Sequence, residues 1–164
     1  MAREISDIVR KAYQLGVDGY TFNSMPAERA QKPAIQALFA RLAKDERQHQ
    51  EYLREVAGHY RQQGHAAFEV PGRAPDLSAF SDAVFTEQLR RQAEGAAFEA
   101  GVLSLGMTIE SNAITYYSGA AKDAPDHQVR AFCQFLAVWE RQHLVALQNA
   151  YNAVRSDFWQ KSGL

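Results

Sequence analysis

The chain has a single cysteine, Cys133, and this scarcity excludes several kinds of site. One thiol cannot form a disulfide within the chain, a cysteine-rich zinc site or a rubredoxin-type iron centre, since each needs more than one. The sequence also has no apolar run that approaches the length of a membrane span, and the residues before Asp7 are too polar for a secretory signal. We therefore expect a cytoplasmic protein with no membrane partner.

An excess of charge of one sign is missing as well. The chain has 18 Lys and Arg residues and 19 Asp and Glu residues, so its formal net charge is −1. A nucleic-acid-binding surface usually carries a clear excess of positive charge, so we expect no nucleic-acid partner. The 164 residues are 46% hydrophobic and 23% charged, which is ordinary for a globular protein and enough for a single domain over residues 1–164.

The spacing of hydrophobic residues predicts an all-α fold with four long helices. They span about residues 3–25, 33–62, 96–121 and 126–158. Pro26 is expected to end or kink the first helix. Residues of about 64–95 contain Pro71-Gly72, which disfavours a continuous helix, although about 81–91 has the composition of a short one. We interpret this segment as a long crossover between the second and third helices of a four-helix bundle.

One four-residue stretch occurs twice, on the predicted second and fourth helices. Glu46-Arg47-Gln48-His49 and Glu140-Arg141-Gln142-His143 are identical. Positions i and i+3 of a helix lie about one turn apart on the same face, so each stretch presents a carboxylate and an imidazole at one place. This is the ligand pair that helices offer to a transition metal inside a bundle. A single Glu-x-x-His arises easily by chance on a solvated helix, but the same tetrapeptide on two helices is a much stronger indication.

The two tetrapeptides lie 94 residues apart, and the same offset aligns other parts of the chain. The aligned pairs include Leu42 with Leu136, Leu53 with Leu147, Leu15 with Ile109 and Thr21 with Thr115. This pattern indicates two duplicated helical hairpins with approximate two-fold symmetry. The alternative is a chance alignment of helices that have similar compositions.

Glu110 breaks this internal symmetry, because its counterpart at the same offset is Gly16. Glu110 lies in an apolar stretch, between Gly106 and Ala113. Burying a lone carboxylate there is costly unless a cation or hydrogen bonds compensate its charge. We therefore interpret Glu110 as a fifth candidate metal ligand. Gly16, at the matching position of the first hairpin, cannot supply a sixth ligand.

These features resemble the ferritin-like superfamily, most closely its rubrerythrin-type members without a rubredoxin domain. Such proteins carry a Glu on the first and third helices and Glu-x-x-His on the second and fourth. Residues 109–117 resemble the third-helix motif, in which a tyrosine follows the ligand by two turns. Residues 14–22 resemble the first-helix motif except at Gly16, where the ligand is missing.

The resemblance assigns a role to each candidate ligand. It implies that Glu46 and Glu140 bridge two metal ions. It further implies that His143 and Glu110 complete the ligands of one ion, and that His49 serves the other ion. That second ion is one carboxylate short, so its affinity is expected to be lower.

The activity implied by the resemblance is that of a non-haem iron oxidoreductase, which oxidises Fe(II) with O2 or peroxide. The cofactor would be iron, with two ions at a complete site and one at an incomplete site, although manganese or zinc also suits such ligands. The electron donor would be a separate protein, and the chain would form a homodimer. Gly16 leaves an alternative open, in which a degenerate, non-catalytic bundle binds one ion or none.

Other conspicuous side chains are expected to have structural roles. Trp139 and Cys133 are expected to pack in the core. Tyr20 lies one turn from position 16, and a tyrosinate ligand there is possible but not favoured. We expect Tyr20, Tyr116 and Tyr117 to be core aromatics whose hydroxyls are hydrogen-bonded.

Overall fold

The computed structural model describes residues 4–63, 70–92 and 96–162. Within these ranges the chain forms five α-helices: α1 (Ile5–Arg29), α2 (Pro33–Gln63), α3 (Ala83–Arg91), α4 (Ala97–Asp123) and α5 (His127–Ser162). A short 3-10 helix, Ser78–Ser81, precedes α3. The described ranges contain no strand, so the predicted all-α class is confirmed. None of the described helices is both long enough and apolar enough to span a membrane.

Most helix ends agree with the predicted ones within two residues, but α1 does not end near Pro26. It continues to Arg29, so the predicted end is wrong. Proline removes one backbone donor from a helix, yet Pro26 is buried, and the backbone N–H of Ala30 donates to the Pro26 carbonyl at 3.0 Å. Burial of the ring and this hydrogen bond stabilise the last turn. The helix α5 also extends beyond its predicted end, to Ser162.

The segment between α2 and α4 is partly ordered into helix, as its composition indicates. The predicted short helix is present as α3, whose N-cap Asp82 accepts a hydrogen bond from the backbone N–H of Phe85 at 2.7 Å. Leu77, Phe85 and Leu89 of this segment are buried. They pack with residues of α2, α4 and α5. The predicted crossover also includes residues 64–69 and 93–95, which lie outside the described residues.

The core consists of two apolar clusters, and each receives residues from α2, α4 and α5. The helix α1 packs along α2, and α4 packs along α5. The first cluster includes Ile8, Leu53, Tyr117, Phe132, Leu136 and Trp139. The second includes Ile35, Leu38, Phe39, Leu103, Leu147 and Ala150. Along α2, α4 and α5, the sequence positions between the two clusters include the candidate ligands, so an ionisable layer separates two apolar ones.

Candidate metal centre

The structure brings all five predicted ligands together in this middle layer. The helix α2 supplies Glu46 and His49, α5 supplies Glu140 and His143, and α4 supplies Glu110. Each of the five residues is at most 3% exposed. The convergence follows from the i, i+3 spacing, which places each Glu and His on the inner face of its helix. Their role as metal ligands stays a prediction.

Four of these residues form the tightest group. Glu46, Glu110, Glu140 and His143 each offer one ligand atom, and these atoms all lie within 4.8 Å of one another. His49 is adjacent rather than part of the four. Its Nδ1 atom lies 3.1 Å from Glu140 Oε1 and 3.7 Å from Glu46 Oε2.

The imidazole of His143 faces three carboxylates at once. Its Nδ1 atom lies 3.2 Å from Glu46 Oε1, 3.3 Å from Glu140 Oε2 and 3.6 Å from Glu110 Oε1. Even so, no described residue forms a hydrogen bond with either ring nitrogen of His143 or of His49. The oxygen atoms Glu46 Oε2 and Glu140 Oε2 are likewise buried without a hydrogen-bond partner in the described ranges. The polar atoms therefore lie within ion-pair distance of one another but are not joined by hydrogen bonds.

This arrangement fits a divalent cation. With metal–ligand bonds of about 2.1 Å, neighbouring ligand atoms lie about 3.0 Å apart in an octahedron and about 3.4 Å apart in a tetrahedron. The separations of 3.2–3.6 Å around His143 Nδ1 are close to these values. A cation would also satisfy the unpartnered nitrogen and oxygen atoms, whose burial is otherwise costly.

Burial and mutual charge shift the pKa values of these groups in the metal-free protein. Burial alone would lower the pKa of His49, but the carboxylates of Glu140 and Glu46 raise it to about 9. Burial also opposes a charge on His143, while Glu110 and Glu140 raise its pKa well above the usual value. Burial raises the pKa of Glu110 to about 8 in spite of the neighbouring His143. Burial would raise the pKa of Glu140 too, yet His49 and His143 hold it below its usual range.

Protons therefore occupy this layer at neutral pH. The two imidazoles hold theirs because carboxylates surround them, and burial raises the pKa of the Glu110 carboxyl above its usual range. Metal ligands must be deprotonated, so a cation that binds here displaces these protons. Metal binding at this site should accordingly strengthen as the pH rises.

Asp45 is a functional candidate that the sequence reasoning missed. It is 1% exposed, and its Oδ2 atom lies 3.8 Å from His143 Nε2, on the opposite side of the ring from the carboxylates. The Nε atom of Arg41 donates to Asp45 Oδ1 at 3.0 Å and thereby orients the carboxylate. A carboxylate behind a metal-binding imidazole fixes the orientation of the ring and raises its basicity. The sequence feature that could have indicated this role is an acidic residue directly before Glu46, on the same helix.

Trp139 is the counterpart of Asp45 in the second hairpin, at the same offset of 94 residues. As expected it lies in the core, at 5% exposure. Its ring stacks on His49, with ring centroids 4.9 Å apart and an interplanar angle of 19°. His143 thus lies beside Asp45, which precedes Glu46, and His49 lies beside Trp139, which precedes Glu140. One of these neighbours is a carboxylate and the other is an indole.

The space at Gly16 is occupied by a side chain of the same protein. Gln50 is buried, and its Nε2 atom donates to the Gly16 carbonyl at 2.9 Å. A Cβ atom at position 16 would lie 3.2 Å from Gln50 Cγ and 3.6 Å from Glu46 Oε2. Position 16 therefore does face the site, as the repeat predicts, and Gln50 fills the place where a longer side chain would lie.

The tyrosines differ from expectation. Tyr20 is half-buried, and its hydroxyl accepts a hydrogen bond from Arg47, which also lies over its ring. This hydrogen bond lowers the pKa of Tyr20, but it ties the hydroxyl to an exposed arginine rather than to the site. Tyr117 is fully buried, as expected for a core aromatic. Its hydroxyl, however, has no hydrogen-bond partner among the residues that the structure describes.

Comparison with protein-family models, with curated proteins and with solved structures finds no match to this chain. The ferritin-like resemblance therefore stays a prediction that rests on the residues themselves. The five positions that the resemblance names lie together in space.

Proposed function

We propose that the chain is a ferritin-like metal-binding protein whose primary ion is held by Glu46, Glu110, Glu140 and His143. The observation that carries this proposal is the convergence of these four buried groups, with their ligand atoms within 4.8 Å of one another. Three carboxylates and an imidazole in an apolar core are costly to leave uncompensated. A divalent cation is the partner that satisfies all four at once.

The proposed architecture is a four-helix bundle of two duplicated hairpins, and the distribution of core residues supports it. The N-terminal half of α1 contributes to the first apolar cluster, whereas the N-terminal halves of α2 and α4 contribute to the second. The helix α5 starts again in the first cluster. On this arrangement α2 and α4 run in the same direction, so the chain between them must cross from one end of the bundle to the other. That is the long crossover expected from the sequence.

The reaction we propose is the oxidation of Fe(II) by O2 or peroxide. Mixed carboxylate and imidazole ligands suit iron, and bound iron would supply the one-electron redox chemistry that these side chains lack. The chain itself contributes the positioning of the ligand groups. The two apolar clusters flank the ionisable layer, and the carboxylate of Asp45 lies 3.8 Å from Nε2 of His143.

A second candidate function, a non-catalytic bundle that holds a single ion, is favoured by Gln50. Its side chain fills the space beside Gly16, and no carboxylate stands there to complete the ligands of an ion next to His49.

With one Fe(II) per chain, the reduction of peroxide would need a second electron from outside the site. We propose that a separate electron-donor protein supplies it in the oxidoreductase, and that the chain forms a homodimer, both on the resemblance.

Fe(II) oxidation in air separates the two candidates. We expect the wild-type protein to accelerate the oxidation of added Fe(II), and Glu140→Gln to abolish the acceleration, because the amide cannot supply the same anionic ligand. Glu99→Gln is the matched control, since Glu99 is another buried glutamate of the chain and its Oε1 accepts from the backbone N–H of Gln31 instead. Equal rates for the wild type and Glu140→Gln would reject the enzymatic proposal.

A further inference from the structure

A cavity of about 200 Å³ opens between α1 and α4 and leads to the candidate metal centre. Glu46, Glu110 and Glu140 line it, and Glu46 and Glu140 each have a buried oxygen atom with no hydrogen-bond partner among the described residues. At about 30 Å³ for each water molecule of the liquid, the volume admits several waters, so a partly hydrated cation fits.

The other sides of the centre are closed by packed side chains. Asp45 and Arg41 lie behind His143, on the side of its Nε2 atom. Trp139 stacks on one face of His49, and the ring of Tyr117 lies 6.3 Å away from it. The cavity is therefore an open side of the three carboxylates.

The mouth of the cavity carries a negative charge. The carboxylate of Asp18 lines it and is exposed, and its Oδ1 atom accepts a hydrogen bond from Gln14 at 2.8 Å. Asn112 lines the facing wall, on α4, and is also exposed. A cleft that is lined by charges of one sign raises the local concentration of the opposite ion and speeds its association.

Gly19 lines the cavity beside Glu46, where only glycine fits. A Cβ atom at this position would lie 2.9 Å from both Cδ and Oε1 of Glu46, too close for a real side chain. Glycine thus lets the carboxylate of Glu46 lie close to the backbone of α1, at the wall of the cavity. Any larger residue would displace or cover this carboxylate.

We propose that divalent cations reach the centre through this cavity, with Asp18 as the residue that draws them in. The proposal rests on the proposed function, since it assumes that the centre binds a cation. A cation must exchange its water shell for protein ligands, and carboxylates along the way allow the exchange in steps. Asp18 acts first, at the mouth, and the three glutamates complete the exchange inside. Asp18 thus acts on the rate of association, and it affects the affinity of the site only through that rate.

The test is the rate at which the metal-free protein binds Co(II), measured by stopped-flow fluorescence. Trp139 is the reporter, because its ring stacks on His49, and a Trp159→Phe background makes it the sole tryptophan of the chain. We expect Asp18→Asn to slow association about threefold and to leave dissociation unchanged. Asn112→Asp adds a carboxylate to the facing wall and should speed association by a similar factor.

Glu28→Gln is the matched control, an exposed acid on the same helix. It lies ten residues from Asp18, about 15 Å along the helix, which is beyond the screening length of about 10 Å at 0.1 M ionic strength. Its association rate should equal that of the wild type. Equal rates for Asp18→Asn, Asn112→Asp and the wild type would overturn the proposed route but not the metal site. Failure of the wild type to bind Co(II) in equilibrium dialysis would overturn the proposed function, and this route with it.

Discussion

The two hairpins bring the same tetrapeptide to the candidate site but surround it differently. On the side of His143, Glu110 adds a third carboxylate and Asp45 lies behind the imidazole. On the side of His49, glycine stands at the counterpart of Glu110, and an indole lies beside the ring. The repeat predicts two equivalent ligand positions. Only the position of His143 has two further carboxylates around it, those of Glu110 and Asp45. A duplicated ligand motif therefore does not imply two equal sites.

The largest expected effect distinguishes the two histidines. Replacing His143 by alanine removes the imidazole of the four-residue group, and we expect the affinity for Co(II) to fall at least about 100-fold. Replacing His49 by alanine leaves that group intact, and the affinity for the first ion should change less than about threefold. Isothermal titration calorimetry of the two variants and the wild type measures the difference. Equal losses in both variants would show that the two halves contribute equally.

A pair of substitutions should create a second metal site on the side of His49, where Gly16 leaves a carboxylate missing. Gly16→Glu restores the missing carboxylate, and Gln50→Ala removes the Cγ atom that lies 3.2 Å from the new Cβ position. We expect the double variant to bind a second Zn(II) ion, whereas Gln50→Ala alone should bind the same number as the wild type. Elemental analysis after dialysis against Zn(II) gives the number of ions per chain. An unchanged number in the double variant would mean that more than this carboxylate is missing.

A smaller effect is expected behind the imidazole. Asp45→Asn keeps the size of the side chain but removes its charge, so His143 becomes a weaker ligand. Loss of such a partner typically lowers metal affinity about 10-fold to 100-fold, and we expect the lower figure because the Oδ2–Nε2 distance is 3.8 Å. Trp139→Phe, at the equivalent position, should change the affinity less than about twofold. A Co(II) titration of both variants checks the contrast.

The smallest expected effect concerns the stability of the metal-free protein. The pKa of His49 is about 9 in the folded protein, above its unfolded value of about 6.5, and that of Glu110 is about 8. The folded state therefore binds more protons, and the stability from both groups is lost as the pH rises toward 9. We expect the melting temperature to fall by about 5 °C or more between pH 6 and pH 9. Scanning calorimetry measures this fall, and His49→Gln should reduce it.

The grouping of the candidate ligands could be predicted because it follows local rules of helix geometry. The Glu-x-x-His spacing places both side chains on one helix face. Glu110 could be identified because it is a charged residue within an apolar stretch. Asp45 and Gln50 escaped notice because their roles depend on contacts across helices, with His143 and with the Gly16 carbonyl. Sequence spacing within one helix does not encode such contacts.

The fold shows the same division between local and tertiary causes. The apolar spacing located the long helices, whose ends mostly agree within two residues. The extension of α1 through Pro26 was missed, since it depends on burial of the ring against the rest of the protein. The cavity beside Gly19 likewise arises only where α1 and α4 meet.

The central claim is that the chain holds a metal ion at Glu46, Glu110, Glu140 and His143. Elemental analysis after anaerobic loading with Fe(II) and desalting tests it most directly. We expect about one firmly held iron ion per chain in the wild type and in the control Glu99→Gln, and almost none in Glu140→Gln. Retention of no iron by the wild type, together with none of manganese or zinc, would contradict the claim and leave a metal-free polar layer within an all-α protein.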